Sequence, residues 1–157
     1  MKQPKPISLN KPYAETGNLT IDSVINYKLR SCKAQQIHVT ADLQVPSDLS
    51  IASVDLSAVL GCLLDNALEA LVKTDQRELH LSLSYRSGIL TIFIENTFNG
   101  QYISHGGQYL TTKTDAAVHG YGLKSVRRIT EKYHGTMEIS LDSQWFKVQV
   151  LLFEPRH

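Results

Sequence analysis

Paired alternating runs, each pair broken by a short polar turn, do most to restrict how this chain folds. Leu79, Leu81 and Leu83 alternate with polar residues, Arg86-Ser87-Gly88 turns the chain, and Leu90, Ile92 and Ile94 return. Period-two alternation packs one face of a strand and leaves the other freer, and a short glycine-containing turn joins two such strands as a hairpin. The pattern recurs near the end of the chain. Met137, Ile139 and Leu141 lead into Asp142-Ser143-Gln144, and Phe146, Val148, Val150 and Leu152 follow. A fifth alternating run, Ile37, Val39, Ala41, Leu43 and Val45, stops at Pro46.

Three segments change to the helical period. Ile21, Val24, Ile25 and Leu29 share a face and predict a helix over 21–35, with Asn18 or Thr20 as its cap. Asp55 is the expected N-cap of a helix over 56–73. Leu123, Val126, Ile129 and Tyr133 predict a third helix over 122–134, stopped by His134-Gly135. Three helices and five strands are most simply arranged as a two-layer α/β sandwich: a mixed, largely antiparallel five-stranded sheet with the helices on one face. Residues 97–119 hold no sustained period and carry Gly100, Gly106 and Gly107. A loop this long in a compact domain is either functional or disordered.

The 157 residues fit one domain. Residues 1–17 contain Pro4, Pro6 and Pro12 and are expected to be an extended segment or linker, with the domain over 18–157. The net charge is +1, and the Lys and Arg residues are scattered. A nucleic-acid reader would usually show a basic stripe. Cys32 and Cys62 have no CxxC or Cys/His spacing, so both are expected to be reduced thiols and not zinc ligands. No apolar run approaches the ~18 residues of a membrane span, and no signal peptide is recognisable.

The segment with the most chemistry is Leu60-Gly61-Cys62-Leu63-Leu64-Asp65-Asn66-Ala67-Leu68-Glu69-Ala70. It places Asn66, with Cys62, Ala70 and Lys73, on one stripe of a helix whose other side carries Leu64 and Leu68. Leu60, Leu64, Leu68 and Leu71 are then the expected core contacts. Asn66 points at a cavity, or it is simply part of a solvated face. Some fifty residues on, His119-Gly120-Tyr121-Gly122-Leu123 reads as a Gly-x-Gly turn opening the third helix. Glycines there let backbone N–H groups approach phosphates, and the helix N-terminus adds a favourable field. A plain helix entry explains the same residues.

Together these motifs resemble the GHKL ATPase superfamily, which includes the sensor histidine kinases, and the resemblance runs from Gly17 to Phe153. Leu63 to Ala70 resembles the N-box. Thr16-Gly17-Asn18, a Thr-x-Lys-x-Asp stretch from Thr111 or Thr112 to Asp115, and His119 to Leu123 resemble the kinases that sense peptide signals in quorum sensing. The resemblance implies that Asn66 ligates the Mg²⁺ that bridges ATP phosphates, which suits a hard cation completed by water and phosphate oxygens. It implies an ATP site built from Asp65, Asn66, Glu69, Ala70 and Lys73, from Asn96 and Gly100, and from His119, Gly120, Tyr121, Gly122 and Leu123. Residues 97–119 become an ATP lid, in which Tyr102, Tyr109 and Leu110 fold over the nucleotide. Lys113 is its candidate γ-phosphate contact, and Lys124 or Arg127 is a further phosphate candidate.

Two departures from the superfamily matter. Its Asp-x-Gly-x-Gly box corresponds here to Asn96-Thr97-Phe98-Asn99-Gly100. The Asn96 carbonyl can still accept from adenine N6 and its NH₂ can donate to N1. The peptide-sensing subgroup shares the Asn-Thr pattern, and a turn residue at a strand end is the structural alternative. Hydrolytic members place a Glu one turn before the metal Asn, as general base for water. Here that residue is Cys62, so efficient hydrolysis is not expected.

None of the six histidines (His38, His80, His105, His119, His134 and His157) sits in an acceptor-like helix. The implied protein is therefore the catalytic half of a two-component sensor histidine kinase. It would bind ATP and Mg²⁺ and donate the γ-phosphoryl group to a histidine on an upstream dimerisation domain, with a response regulator as indirect partner. The fragment is expected to be monomeric and cytoplasmic, with its parent anchored in the membrane. Two rivals are an anti-sigma-type GHKL serine kinase and a degenerate domain that signals by contact.

Overall fold

The elements run α1 (Leu19–Lys28), β1 (His38–Gln44), α2 (Ser53–Leu71), β2 (Glu78–Arg86), β3 (Ile89–Thr97), β4 (Ile103–His105), β5 (Gln108–Leu110), α3 (Lys113–Lys132), β6 (Thr136–Leu141) and β7 (Trp145–Phe153). The computed structural model describes residues 11–100, 103–105, 108–110 and 113–155, with side chains for 11–100 and 122–155. Pro4, Pro6, Tyr102, Gly106, Gly107, Thr111, Thr112 and His157 lie outside the described residues. For His105, Tyr109, Leu110, Lys113, Asp115, His119 and Tyr121 only the backbone is described.

The main sheet has the order β1-β2-β3-β7-β6. β1 and β2 are parallel, with α2 as the crossover between them, and the other pairs are antiparallel. This is the expected mixed sandwich. Leu79, Leu81 and Leu83 of β2, Leu90, Ile92 and Ile94 of β3, and Phe146, Val148, Val150 and Leu152 of β7 are all buried. They share one core with Ile21 and Ile25 of α1, with Leu56, Val59, Leu60, Leu63, Leu64, Ala67 and Leu71 of α2, and with Val126 of α3. Each such buried Val, Leu, Ile or Phe side chain contributes about 1.5–3 kcal/mol. Both hairpins form as expected. Ser87 and Gly88 both have positive φ, 52° and 81°, the two-residue geometry that matches strand twist. Asp142 accepts from the backbone N–H groups of Gln144 and Trp145 and shapes the second turn.

Four expectations need correction. The first helix stops at Lys28 and not near residue 35; turns carry the chain on to Ile37. The Tyr27 carbonyl there accepts from Arg30, from both its backbone N–H and Nη1 at 2.6 Å, instead of continuing the helical ladder. The second helix begins at Ser53, and its N-cap is Ala52, without a side-chain cap bond, not Asp55. Its start is marked instead by apolar residues on either side of the cap. Ile51 and Leu56, at the positions of a hydrophobic staple, are both in the core. Leu68, expected in the core, is only half-buried, and Leu63 and Ala67 take that place.

The fourth correction concerns residues 97–119. They are not structureless: β4 and β5 pair as a small second sheet, and α3 already starts at Lys113. Lys113, Ala116 and Ala117 are good helix formers, but the apolar stripe begins only at Leu123, so periodicity misses the first turns.

Asp55 has another use. Its Oδ2 accepts from Lys132 Nζ at 2.8 Å and from Tyr133 Oη at 2.6 Å, and Tyr133 Oη accepts from Ala52 N at 3.1 Å. The start of α2 is thereby tied to the end of α3. The hydrogen bonds from Lys132 and Tyr133 hold the Asp55 carboxyl below its ordinary value of 3.8. Stability from this group is therefore fully present above pH 3.8 and is lost as the pH falls through the lower folded value. Asp55→Asn is expected to cost about 1 kcal/mol at pH 7. Denaturant melts of parent and variant should converge in strong acid; an equal gap at both ends of the pH range would contradict the assignment.

Candidate active site

Asn66 lies in the third quarter of α2 and is 5 % exposed, although it is polar and flanked by Asp65, which is exposed. The helical period explains this. Leu63, Ala67 and Leu71 anchor α2 in the core, and Asn66 sits at the edge of that buried stripe, not on the outer face. The solvated-face alternative for Asn66 is thus set aside.

Asp65 makes an ion pair with Lys28 of α1, 2.9 Å from Nζ to Oδ1. Sequence reading missed Lys28, because the pairing depends on how α1 packs beside α2. Glu69 is exposed, Ala70 is half-buried, and Lys73 is exposed just beyond the helix end. Cys62, one turn before Asn66, is half-buried, and burial pushes its thiol up, reinforced by the Asp65 charge and opposed by Lys28. A neutral thiol cannot take a proton from water. Both cysteines are free, as expected.

The second element of the site is the end of β3. Asn96 is 1 % exposed, and its Nδ2 donates to the Thr97 carbonyl at 3.0 Å. Phe98 stands where a glycine would leave room for a ligand. Its side chain is buried in the core, edge-on to Phe146 with 6.2 Å between ring centroids. Its N–H donates to the Gln144 carbonyl at 2.9 Å. Gly100 has φ 82°, and a Cβ there would meet the Ser143 carbonyl oxygen at 3.0 Å. Glycine is needed at this point for both conformation and space.

The third element departs from expectation. Gly120 and Gly122 lie inside α3 and do not open it, so their N–H groups are not at a helix start. Leu123 is half-buried, and Lys124 and Arg127 are exposed. A Cβ at Gly122 would sit 3.8 Å from Cys62 Cβ, an ordinary contact. Neither packing nor a positive φ demands glycine there, yet glycine inside a helix costs about 0.5–1 kcal/mol relative to alanine. That cost has no structural return in this conformation.

The Thr16-Gly17-Asn18 lead-in is a capping device. Asn18 Oδ1 accepts from Ile21 N at 3.0 Å, and Asp22 accepts from Thr16 Oγ1, Thr16 N and Gly17 N. Burial pushes the Asp22 carboxyl up, but these three bonds outweigh it and leave it lowered.

Among the described residues no three His, Cys, Asp or Glu side chains cluster as a metal site. Mg²⁺ needs no such cluster, since it commonly takes one or two protein oxygens and completes its shell with phosphate and water. The Asn66 amide oxygen is a hard donor of that kind, so the donor chemistry fits.

A β1-β2-β3-β7-β6 sheet with α2 crossing from β1 to β2, and a buried amide on that helix, matches the fold of the ATPase domain of histidine kinases. Residues 51–153 match the model of the GHKL domain, and the chain belongs to that family. In three dimensions it is similar to the catalytic domain of the histidine kinase ThkA, with a TM-score of 0.68 at 17 % identity over 89 % of this chain and 93 % of that one. The Acinetobacter baumannii histidine kinase AdeS gives 0.59 at 18 % identity, over 87 % of this chain and 66 % of that one. The mycobacterial sensor histidine kinase MprB gives 0.57 at 14 % identity, over 85 % and 95 %. The chain spans about two thirds of the AdeS chain. It has no match among curated protein sequences. Among the described residues no helix is long and apolar enough to cross a membrane.

Proposed function

We propose that this chain is the ATP-binding catalytic domain of a two-component sensor histidine kinase of the peptide-sensing, quorum-sensing type. Its work is to donate the ATP γ-phosphoryl group to a histidine on a separate helical dimerisation domain upstream, from which a response regulator is served. The single observation that carries the reading is the pair of buried amides, Asn66 on α2 and Asn96 at the end of β3. Two buried amides at the motif positions suit a ligand with phosphates at one end, where an amide oxygen can meet a cation, and a base at the other, where an amide can accept or donate.

In this reading Asn66 holds Mg²⁺, which supplies charge neutralisation at the phosphates when bound. Asn96 orients the adenine. Gly100 lets the chain turn from β3 into the lid, and Phe98 leaves the base pocket open by packing into the core. Lys113, His119, Gly120, Tyr121, Gly122 and Leu123 supply the lid side, with Asp65, Glu69, Ala70 and Lys73 lining the N-box side. The neutral Cys62 thiol leaves water without a base, which favours transfer to a protein nucleophile over hydrolysis. Phosphoryl transfer then depends on positioning and charge stabilisation. The domain works as a monomer on the cytoplasmic side of a membrane-anchored parent.

The placement of Gly120 and Gly122 inside α3 favours one second reading, a degenerate domain that signals by contact. The deciding experiment is a calorimetric titration with a non-hydrolysable ATP analogue, with and without Mg²⁺. An acceptor-helix domain is then added with ATP. Saturable, Mg²⁺-dependent binding followed by acid-labile phosphohistidine on the acceptor is the expected result. Phosphoserine on a partner would favour the anti-sigma-type kinase. Absence of binding at millimolar nucleotide would leave the contact reading.

A further inference from the structure

Thr97 is 1 % exposed, and its side chain and carbonyl both have partners. Its hydroxyl donates to the Gln76 carbonyl at 2.6 Å and accepts from Glu78 N at 3.0 Å. Its carbonyl accepts from Asn96 Nδ2 at 3.0 Å. The segment leaving α2 and the end of β3 are joined through this one residue.

The last of these bonds has a consequence for Asn96. A carboxamide is nearly symmetric in shape, so turning it end for end exchanges a donor for an acceptor at little steric cost. An asparagine facing a base can therefore serve two kinds of purine. In one orientation it accepts from a 6-amino group; in the other it donates to a 6-oxo group. Here the second orientation would set Oδ1 against the Thr97 carbonyl, acceptor against acceptor, at a site shut off from water. That loses a buried hydrogen bond and adds a repulsion. The amide is thus held with Nδ2 on Thr97, and among the described residues no donor reaches Oδ1. A buried acceptor with no donor points to a ligand that brings one.

We propose that Thr97 is a positioning residue that fixes the polarity of the Asn96 amide, and that the pair makes the site select 6-aminopurine over 6-oxopurine nucleotides. The inference rests on the nucleotide reading above and deepens it. The Thr97 hydroxyl, held on both sides by the segment after α2, keeps the carbonyl in place. A carboxylate at position 96 would need no such lock, because it has no donor to present.

The test measures Mg²⁺-dependent binding of ATP and of inosine triphosphate to the parent chain and to Thr97→Ser, Thr97→Val and Asn96→Asp, each checked for folding by thermal melting. The parent and Thr97→Ser are expected to prefer ATP by at least about tenfold, and Thr97→Val to prefer it by no more than about threefold. Asn96→Asp should keep the preference, since it can only accept. A folded Thr97→Val with the parent's full preference would overturn the role of Thr97. Equal binding of the two nucleotides by the parent, with discrimination by Asn96→Asp, would show an amide that turns freely; it would overturn the inference and leave the nucleotide reading intact. Should Thr97→Val not fold, the parent's own ratio decides. Failure of every protein to bind either nucleotide would overturn both readings.

Discussion

Asn66→Ala is expected to abolish the Mg²⁺-dependent part of nucleotide binding and to leave the fold intact. The amide is 5 % exposed on α2 and is the one hard neutral oxygen that the N-box motif brings to the site. In the proposed role, removing it withdraws a protein oxygen from a cation that commonly has only one or two. We expect affinity in the presence of Mg²⁺ to fall roughly 100-fold, about 2.7 kcal/mol, with the metal-free affinity changing little. Alanine is the better helix former, by about 0.5 kcal/mol, so α2 itself should not suffer. Titrations with and without Mg²⁺ and a thermal melt separate the two effects. A metal dependence that survives the substitution would remove Asn66 from the metal site.

The second large effect is structural. Gly135→Ala is expected to cost at least about 3 kcal/mol, a substantial fraction of the 5–15 kcal/mol typical of a folded domain. A Cβ at that position would lie 1.6 Å from the Leu151 carbonyl oxygen and 2.7 Å from its carbon. The obstacle is backbone in a central pair of strands, so no side-chain rotation relieves it. The site is also tightly determined locally. His134 takes the left-handed conformation at φ 57°, and the Gly135 N–H donates to the Thr130 carbonyl at 2.9 Å. These bonds close α3 in a Schellman turn. Either α3 loses its closure or β7 shifts out of register with β3 and β6. A denaturant midpoint close to that of the parent would refute the contact.

The sheet was legible in the sequence because alternation at period two reports which face is buried, and both hairpin turns carried their own chemistry. Helix positions were legible where an apolar stripe ran. They failed where something other than the stripe set the end. Ile51 and Leu56 bracket the start of α2, Arg30 takes the carbonyl that would have continued α1, and the first turns of α3 carry no stripe at all. Within the site, Asn66 and Asn96 could be singled out by their positions in the two motifs. Lys28 and Thr97 could not. The first acts only because α1 lies beside α2, and the second because the segment after α2 returns to the end of β3. The packing of Phe98 into the core was not legible either, because a sequence shows the size of a side chain and not its direction.

Trp145 is the chain's one tryptophan, and it stands opposite Thr97 across the β3–β7 ladder. Its ring lies 5.2 Å from that of His80, which in turn is bonded to Glu95, the neighbour of Asn96. The protein thus carries a built-in optical probe one strand away from the amide proposed to read the base. Its emission can be followed in the unlabelled protein, so a nucleotide settling beside Asn96 can be sought as a change in light.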